Sequence, residues 1–341
     1  MILANLAYWQ STLIRVLLVL VAVLIPAGTF VYVYLFKMMS FMQSRLGPME
    51  AGPYGSLQLL AEVGKSLQKE DIFPARADRQ LFAMAPYLVV GAVLLVYVVI
   101  PFGPDAYFAD LDTGIFYALA VSSVSVIGIL VAGWASANKY SLMGGLRAAG
   151  QLIAYELPMV LAVVGVVIQA GSLNLKTIVG AQANGEIFGF GSLGHLFLLT
   201  QFVGFVLFLV AAQAELTQAP FDMPIAESEL VSGYMTEYSG LRFLLFFIGE
   251  FASAGAFSAI AATLFLGGWW VPGLDLDANY MNIVGPLVVM GKMMLVAFFI
   301  FWFRFTYPRF REDQLQTIAW KYLIPLALLN ISVTAVLKVV F

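Results

Sequence analysis

The sequence predicts an all-α polytopic membrane protein, and three observations carry that prediction. Hydrophobic residues make up 62% of the 341-residue chain and charged residues 11%, with a mean hydropathy of +0.92. Such a composition belongs to multi-spanning membrane proteins. The apolar residues gather into runs of the roughly 20 residues that a helix needs to cross a hydrocarbon core. Basic residues concentrate in alternate connections between those runs. A helix satisfies its own backbone in lipid, so each run reads as a transmembrane helix.

Eight spans follow, at 11–36, 81–101, 114–134, 150–170, 194–216, 242–267, 280–303 and 319–340. The first is too long for the apolar core of a signal peptide, and no small-residue cleavage site follows it, so it reads as a span. The next connection, about 37–80, carries Lys37, Arg45, Lys65, Lys69, Arg76 and Arg79. Within it, Gly47-Pro48 and Gly52-Pro53 mark turns. Leu57, Leu60, Val63 and Leu67 then line one face of 56–69, which predicts an amphipathic helix at the interface. The second and third spans are joined at 102–113 without a base, and 268–279 has none either. By contrast 135–149 carries Lys139 and Arg147, and 304–318 carries Arg304, Arg309 and Arg311. The positive-inside rule makes 37–80, 135–149, 217–241 and 304–318 cytoplasmic and puts both termini outside. Pro26, Pro86, Pro158, Pro286 and Pro325 fall within spans, where kinks are tolerated. The whole chain, 1–341, reads as one membrane domain.

Several function classes are excluded. Net charge is −3 with no strongly basic tract, so nothing points to nucleic acid. Cysteine is absent and His195 is the sole histidine. Thiolate-held iron–sulfur clusters, multi-histidine metal sites and haem sites are therefore not expected here, and any such centre belongs to a partner.

The segment 215–240 stands apart. Glu215, Asp222, Glu227, Glu229 and Glu237 fall within 23 positions, with no Lys or Arg among them. Pro220 and Pro224 exclude a continuous helix. Its cytoplasmic placement runs against the charge bias, so its acidity serves something besides topology. Like charges this close are expected to raise some of the carboxyl pKa values. A solvated acidic loop is the plain reading; a polar chamber handling protons is the sharper one.

Four cytoplasmic stretches identify a family when taken together. They are Gln43-Ser44-Arg45-Leu46-Gly47-Pro48 with Lys65; Gly133-Trp134-Ala135-Ser136 with Lys139 and Tyr155-Glu156; Pro220-Phe221-Asp222 with Glu227-Ser228-Glu229-Leu230-Val231 and Glu237; and Pro308-Arg309-Phe310-Arg311 with Asp313. In this order they resemble the membrane H-subunit family of bacterial NADH:quinone oxidoreductase, respiratory complex I, equivalent to mitochondrial subunit 1. The similarity runs from about residue 11 to the end. It implies a heel subunit of the bacterial inner membrane that lines a quinone tunnel and couples quinone reduction to proton translocation. Quinone would be a substrate, with flavin and iron–sulfur clusters held by peripheral-arm subunits. Antiporter-like pumping subunits and small membrane subunits would complete the membrane arm. Carried over by position, the proton path is Glu215, Asp222, Glu227, Glu229, Glu156, Glu250 and Lys292. Arg45, Lys65, Lys139, Arg147, Phe221 and Glu237 would lie at the quinone site or arm junction.

Five positions depart from the family pattern: Leu35, Phe36, Glu50, Gln218 and Ile225. The last two replace a family arginine and a family glutamate, which suggests that one ion pair has been removed as a unit. The related subunit of energy-converting hydrogenases or ferredoxin-fed complexes is the alternative reading these departures leave open. A secondary transporter would need inverted repeats that the sequence lacks. Glu250 and Lys292 lie deep in spans six and seven, where a charge needs a partner or cavity, so a mutual pair or a relay role is expected.

Overall fold

A computed structural model describes residues 8–185, 195–273 and 280–340. Its regular elements among those residues are all helical. The first rod, α1, runs through Tyr8–Phe30, a π-helical stretch Val31–Met38 and Met39–Met42. The amphipathic helix α2 follows at Gln58–Gln68. Then come α3 (Arg79–Tyr97), α4 (Gly114–Ser122 and Val124–Ala135), α5 (Lys139–Ala170) and the short α6 (Leu175–Asn184). The series closes with α7 (Phe202–Glu215), α8 (Gly240–Phe265), α9 (Met281–Thr306) and α10, which runs from Glu312–Thr317 through Ile318–Leu323 to Ile324–Val340.

Among the described residues, seven helical rods are long and apolar enough to cross a membrane. The fifth expected span, 194–216, is the exception. It consists of a single turn Phe197–Thr200, a break at Gln201 and the 14-residue α7. Fourteen residues rise only about 21 Å, and the extra turn brings the element to about 28 Å, close to the hydrocarbon thickness. Gln201 is held at the break by Thr334, to which its Nε2 donates at 2.8 Å, and by Asn330, whose Nδ2 donates to its Oε1 at 3.0 Å.

Two expected boundaries move. The first connection begins after Met42 rather than at 37, because the π-helical stretch continues the rod past Lys37, whose Nζ donates to Pro48 O at 2.8 Å. The connection expected at 135–149 is mostly helix. Asn138 caps α5 by accepting from Tyr140 N at 2.9 Å, so Lys139 and Arg147 lie on the helix itself. Hydropathy locates lipid-crossing stretches and misses the polar turns that extend a helix beyond them. Other ends follow local chemistry: Asp78 caps α3, and α5 stops at Gly171 in the left-handed conformation.

The segment 216–239 is not a solvated loop. Phe221, Met223, Ala226, Leu230, Tyr234, Met235 and Tyr238 are all buried. Tyr238 stacks on Phe82 with centroids 4.0 Å apart, and Phe246 meets Tyr238 edge-on at 4.9 Å. Gln151 of α5 donates to Ala214 O and Phe221 O, both at 2.7 Å, tying the segment to the bundle. It is a plug that completes the core where α7 stops short.

Candidate functional site

The plug turns its carboxylates toward bases from distant parts of the chain. Asp222 accepts from Arg309 twice, from Nε at 2.5 Å and Nη2 at 3.0 Å. Glu229 accepts from Arg147 Nη1 at 2.7 Å, and Arg147 Nε also lies 3.8 Å from Glu312. Arg309 Nη1 donates to Ser228 at 3.3 Å, and Glu227 lies within its electrostatic reach. Arg147, Asp222, Ser228, Glu229, Arg309 and Glu312 line an open cavity of about 630 Å³. The Arg147 hydrogen bond, helped by the nearby Arg309 charge, holds the Glu229 carboxyl below the usual range. Bonding to Asp222 pushes Arg309 up. The expected upward shift from crowded carboxylates is thus reversed at Glu229, because its counter-ions arrive from α5 and from the connection between α9 and α10.

Phe221 lies beneath this surface, edge-on to Tyr155 at 5.3 Å and tilted against Phe310 at 5.5 Å. Tyr155 in turn donates to Leu315 O at 2.9 Å. Glu237, at the other end of the plug, accepts from Asn138 Nδ2 at 2.5 Å.

Further in, Gln218 bridges two charges. Its amide donates to Glu250 and its oxygen accepts from Arg304, while Arg304 lies 3.5 Å from Glu250. Glu250 is ten residues into α8, roughly 15 Å from its start. Deeper still, Glu215 closes α7 beside Ser122, Ser125 and Ser253 around a cavity of about 30 Å³. Its Oε2 is shielded from solvent and has no hydrogen-bond partner among the described residues, and Glu156 of α5 lies within its electrostatic reach. Ser253 is thirteen residues into α8, at a depth of about 20 Å.

Other expected site residues stand elsewhere. Lys65 and Lys139 are exposed, and Arg45 donates to Gln43 Oε1 at 2.8 Å beyond the end of α1. Lys292 does not pair with Glu250; it donates to the carbonyls of Leu266, Gly268 and Trp270 at 2.6, 2.8 and 2.6 Å. Gln218 and Ile225, expected to mark one deleted ion pair, have different neighbours. Gln218 sits between Glu250 and Arg304, whereas Ile225 packs against the apolar cluster of Phe82, Tyr234 and Tyr238. Sequence reasoning did not pair Arg304 or Arg309 with the acidic run. A base-free acidic run points to counter-ions from elsewhere, and the base-rich connection after the seventh span was the available source.

Apolar helices able to cross a membrane, closed at one face by a buried plug from which carboxylates lead inward, define an integral membrane protein. A family model described as NADH dehydrogenase matches residues 14–335. The chain is 44% identical over 330 residues to the H subunit of NADH-quinone oxidoreductase from Brevibacillus brevis, covering 96% of this chain and 94% of that one. It is 47% identical over 306 residues to the protein of the same name from Bacillus thuringiensis subsp. konkukian, covering 89% and 87%. The Bacillus anthracis protein of that name is 46% identical over the same length. The chain belongs to the NADH dehydrogenase family of membrane subunits.

Proposed function

We propose that this chain is the membrane H subunit of a proton-translocating NADH-quinone oxidoreductase, and that its carboxylates couple quinone reduction to proton movement. One observation carries the reading. Carboxylates occur at successive depths, from Asp222 and Glu229 at the face, through Glu250 at roughly 15 Å, to Glu215 with Glu156 at about 20 Å. Each step lies beside a group that can trade a proton or a charge.

Quinone reduction to quinol takes up two electrons and two protons. The electrons come from an iron–sulfur cluster of a partner, since this chain has no cysteine to hold one. Quinone would be held between the plug face and peripheral subunits, with Phe221, Arg147, Lys139, Glu237, Arg45 and Lys65 on this chain's side. A charge created there acts on the carboxylates through a low-dielectric surround, so a local demand can shift protons along the row. The plug side would face the cytoplasm of a bacterial inner membrane, with the N-terminus outside, and the pumping subunits would receive the displaced charge.

The test is to extract the native assembly through a C-terminal tag and assay NADH-driven quinone reduction and proton translocation. Flavin and iron–sulfur signals with inhibitor-sensitive quinone turnover are expected. Glu227→Gln and Glu229→Gln should lower turnover or pumping while the complex still assembles. Hydrogenase or ferredoxin partners without quinone turnover would overturn the proposal. So would normal pumping in both variants for the coupling role.

A further inference from the structure

Helix α8 ends at Phe265, yet the chain does not leave the bundle there. Gly267, Gly268, Trp269 and Trp270 are all buried, and the two glycines adopt φ of +76° and +53° to fold the backbone back. Non-helical backbone shielded from water leaves carbonyls that must find partners within the protein. Three of them, from Leu266, Gly268 and Trp270, converge on Lys292 Nζ at 2.6, 2.8 and 2.6 Å.

The stoichiometry of donors is decisive. An ammonium has three N–H donors and no acceptor, and all three are spent on these carbonyls. A neutral amine has two donors and would turn its lone pair toward the third carbonyl. The position also suits a cation, since the carbonyl end of a helix carries partial negative charge. Glu250 lies sixteen residues before Leu266 along α8, about 24 Å away, so the lysine is remote from the carboxylate row.

We propose that Lys292 is a permanently protonated, tethered cation that closes the carbonyl end of α8, and that it neither gives up nor takes on a proton during turnover. It is a positioning residue. It keeps α8, which bears Glu250 and Ser253, locked to α9, which bears Arg304. The inference rests on the proposed coupling function only for its pumping readout; the stability readout is independent of it.

Lys292→Arg, Lys292→Gln and Lys292→Met would be compared with the natural chain in two settings. In the assembled complex, the quantity read is protons translocated per quinol formed. A fixed cation predicts an unchanged ratio in every variant that assembles, with a lower yield of complex for Gln and Met. A variant that assembles and reduces quinone but moves fewer protons per quinol overturns the proposal. In purified full-length chain in detergent, the quantity read is the melting temperature. Arg should melt with the natural chain, and Gln and Met should melt lower; Gln melting with the natural chain overturns the proposal even if no variant assembles. A natural complex that neither reduces quinone nor pumps would defeat the coupling function while leaving the melting order to decide the role of Lys292.

Discussion

At the scale of single residues, charge in this chain is balanced across long sequence separations. Arg309 and Asp222 are 87 positions apart and make a two-point contact, with about a quarter of each side chain exposed. Partial exposure screens the pair, whereas paired N–H donors to a carboxylate strengthen it. A double-mutant cycle with Arg309→Ala and Asp222→Asn should therefore give a coupling of about 1 kcal/mol. A value near zero would show that the contact is incidental. Glu229 leads to a pH prediction. Its carboxyl is held down by Arg147, so its contribution is complete above the ordinary glutamate pKa of about 4.3 and is lost as pH falls through the lower folded value. A spin label on Ser228→Cys, a unique thiol in this cysteine-free chain, should keep its restricted motion from pH 8 to 5 and loosen only once the pH falls beneath the ordinary glutamate range. Arg147→Gln should abolish that acid-dependent change by loosening the label at every pH. An unchanged profile would remove Arg147 as the cause.

At the scale of elements, the defining event is that α7 stops early and the plug takes over its volume. The long spans were legible in the sequence because their hydropathy is set residue by residue, and α3, α4, α8 and α9 start or end within a few positions of expectation. The amphipathic α2 was legible from its leucine spacing. The plug was not. Its apolar residues alternate with carboxylates and prolines in no helical or strand period, and what buries them is a cavity between other helices. The carboxylates were visible as a cluster, but their partners Arg147, Arg304, Arg309 and Gln218 could be paired with them only by the fold. Close approach also hides in glycine. A Cβ at Gly144 would lie 2.6 Å from Tyr234 N and 2.7 Å from Gly233 Cα, both backbone atoms of the plug. Gly144→Ala should force α5 and the plug apart, at about 1–3 kcal/mol of overpacking, and speed hydrogen exchange across 216–239. Gly150→Ala on the same helix, where a Cβ would meet only Gln316 Nε2 at 4.0 Å, should leave that exchange unchanged. Equal effects would mean that helix propensity, not contact, governs the plug.

At the scale of the whole molecule, α8 alone is long and apolar enough to set the plug and its own carbonyl end on opposite sides of a membrane, whereas α7 decides on which side the plug lies relative to the end of α5. The coupling proposal needs that separation, since Glu250 and Glu215 are reached from the plug face while Lys292 secures the other end of the same helix. The side on which the plug lies turns on α7, whose 14 residues are short for a crossing and suffice only with the turn Phe197–Thr200 before it and the plug behind it. The absence of cysteine makes the question directly measurable, because each introduced thiol is unique within the chain. Ser172→Cys precedes α6 and α7, whereas Ser228→Cys lies in the plug. In intact cells an impermeant maleimide should label Ser172→Cys and spare Ser228→Cys, and inverted vesicles should reverse the pattern. Labelling both from one side would mean that α7 turns back without crossing. The plug would then share the side of the end of α5, opposite to the cytoplasmic side proposed for it, and a path from quinone through Glu215 would lose its physical basis.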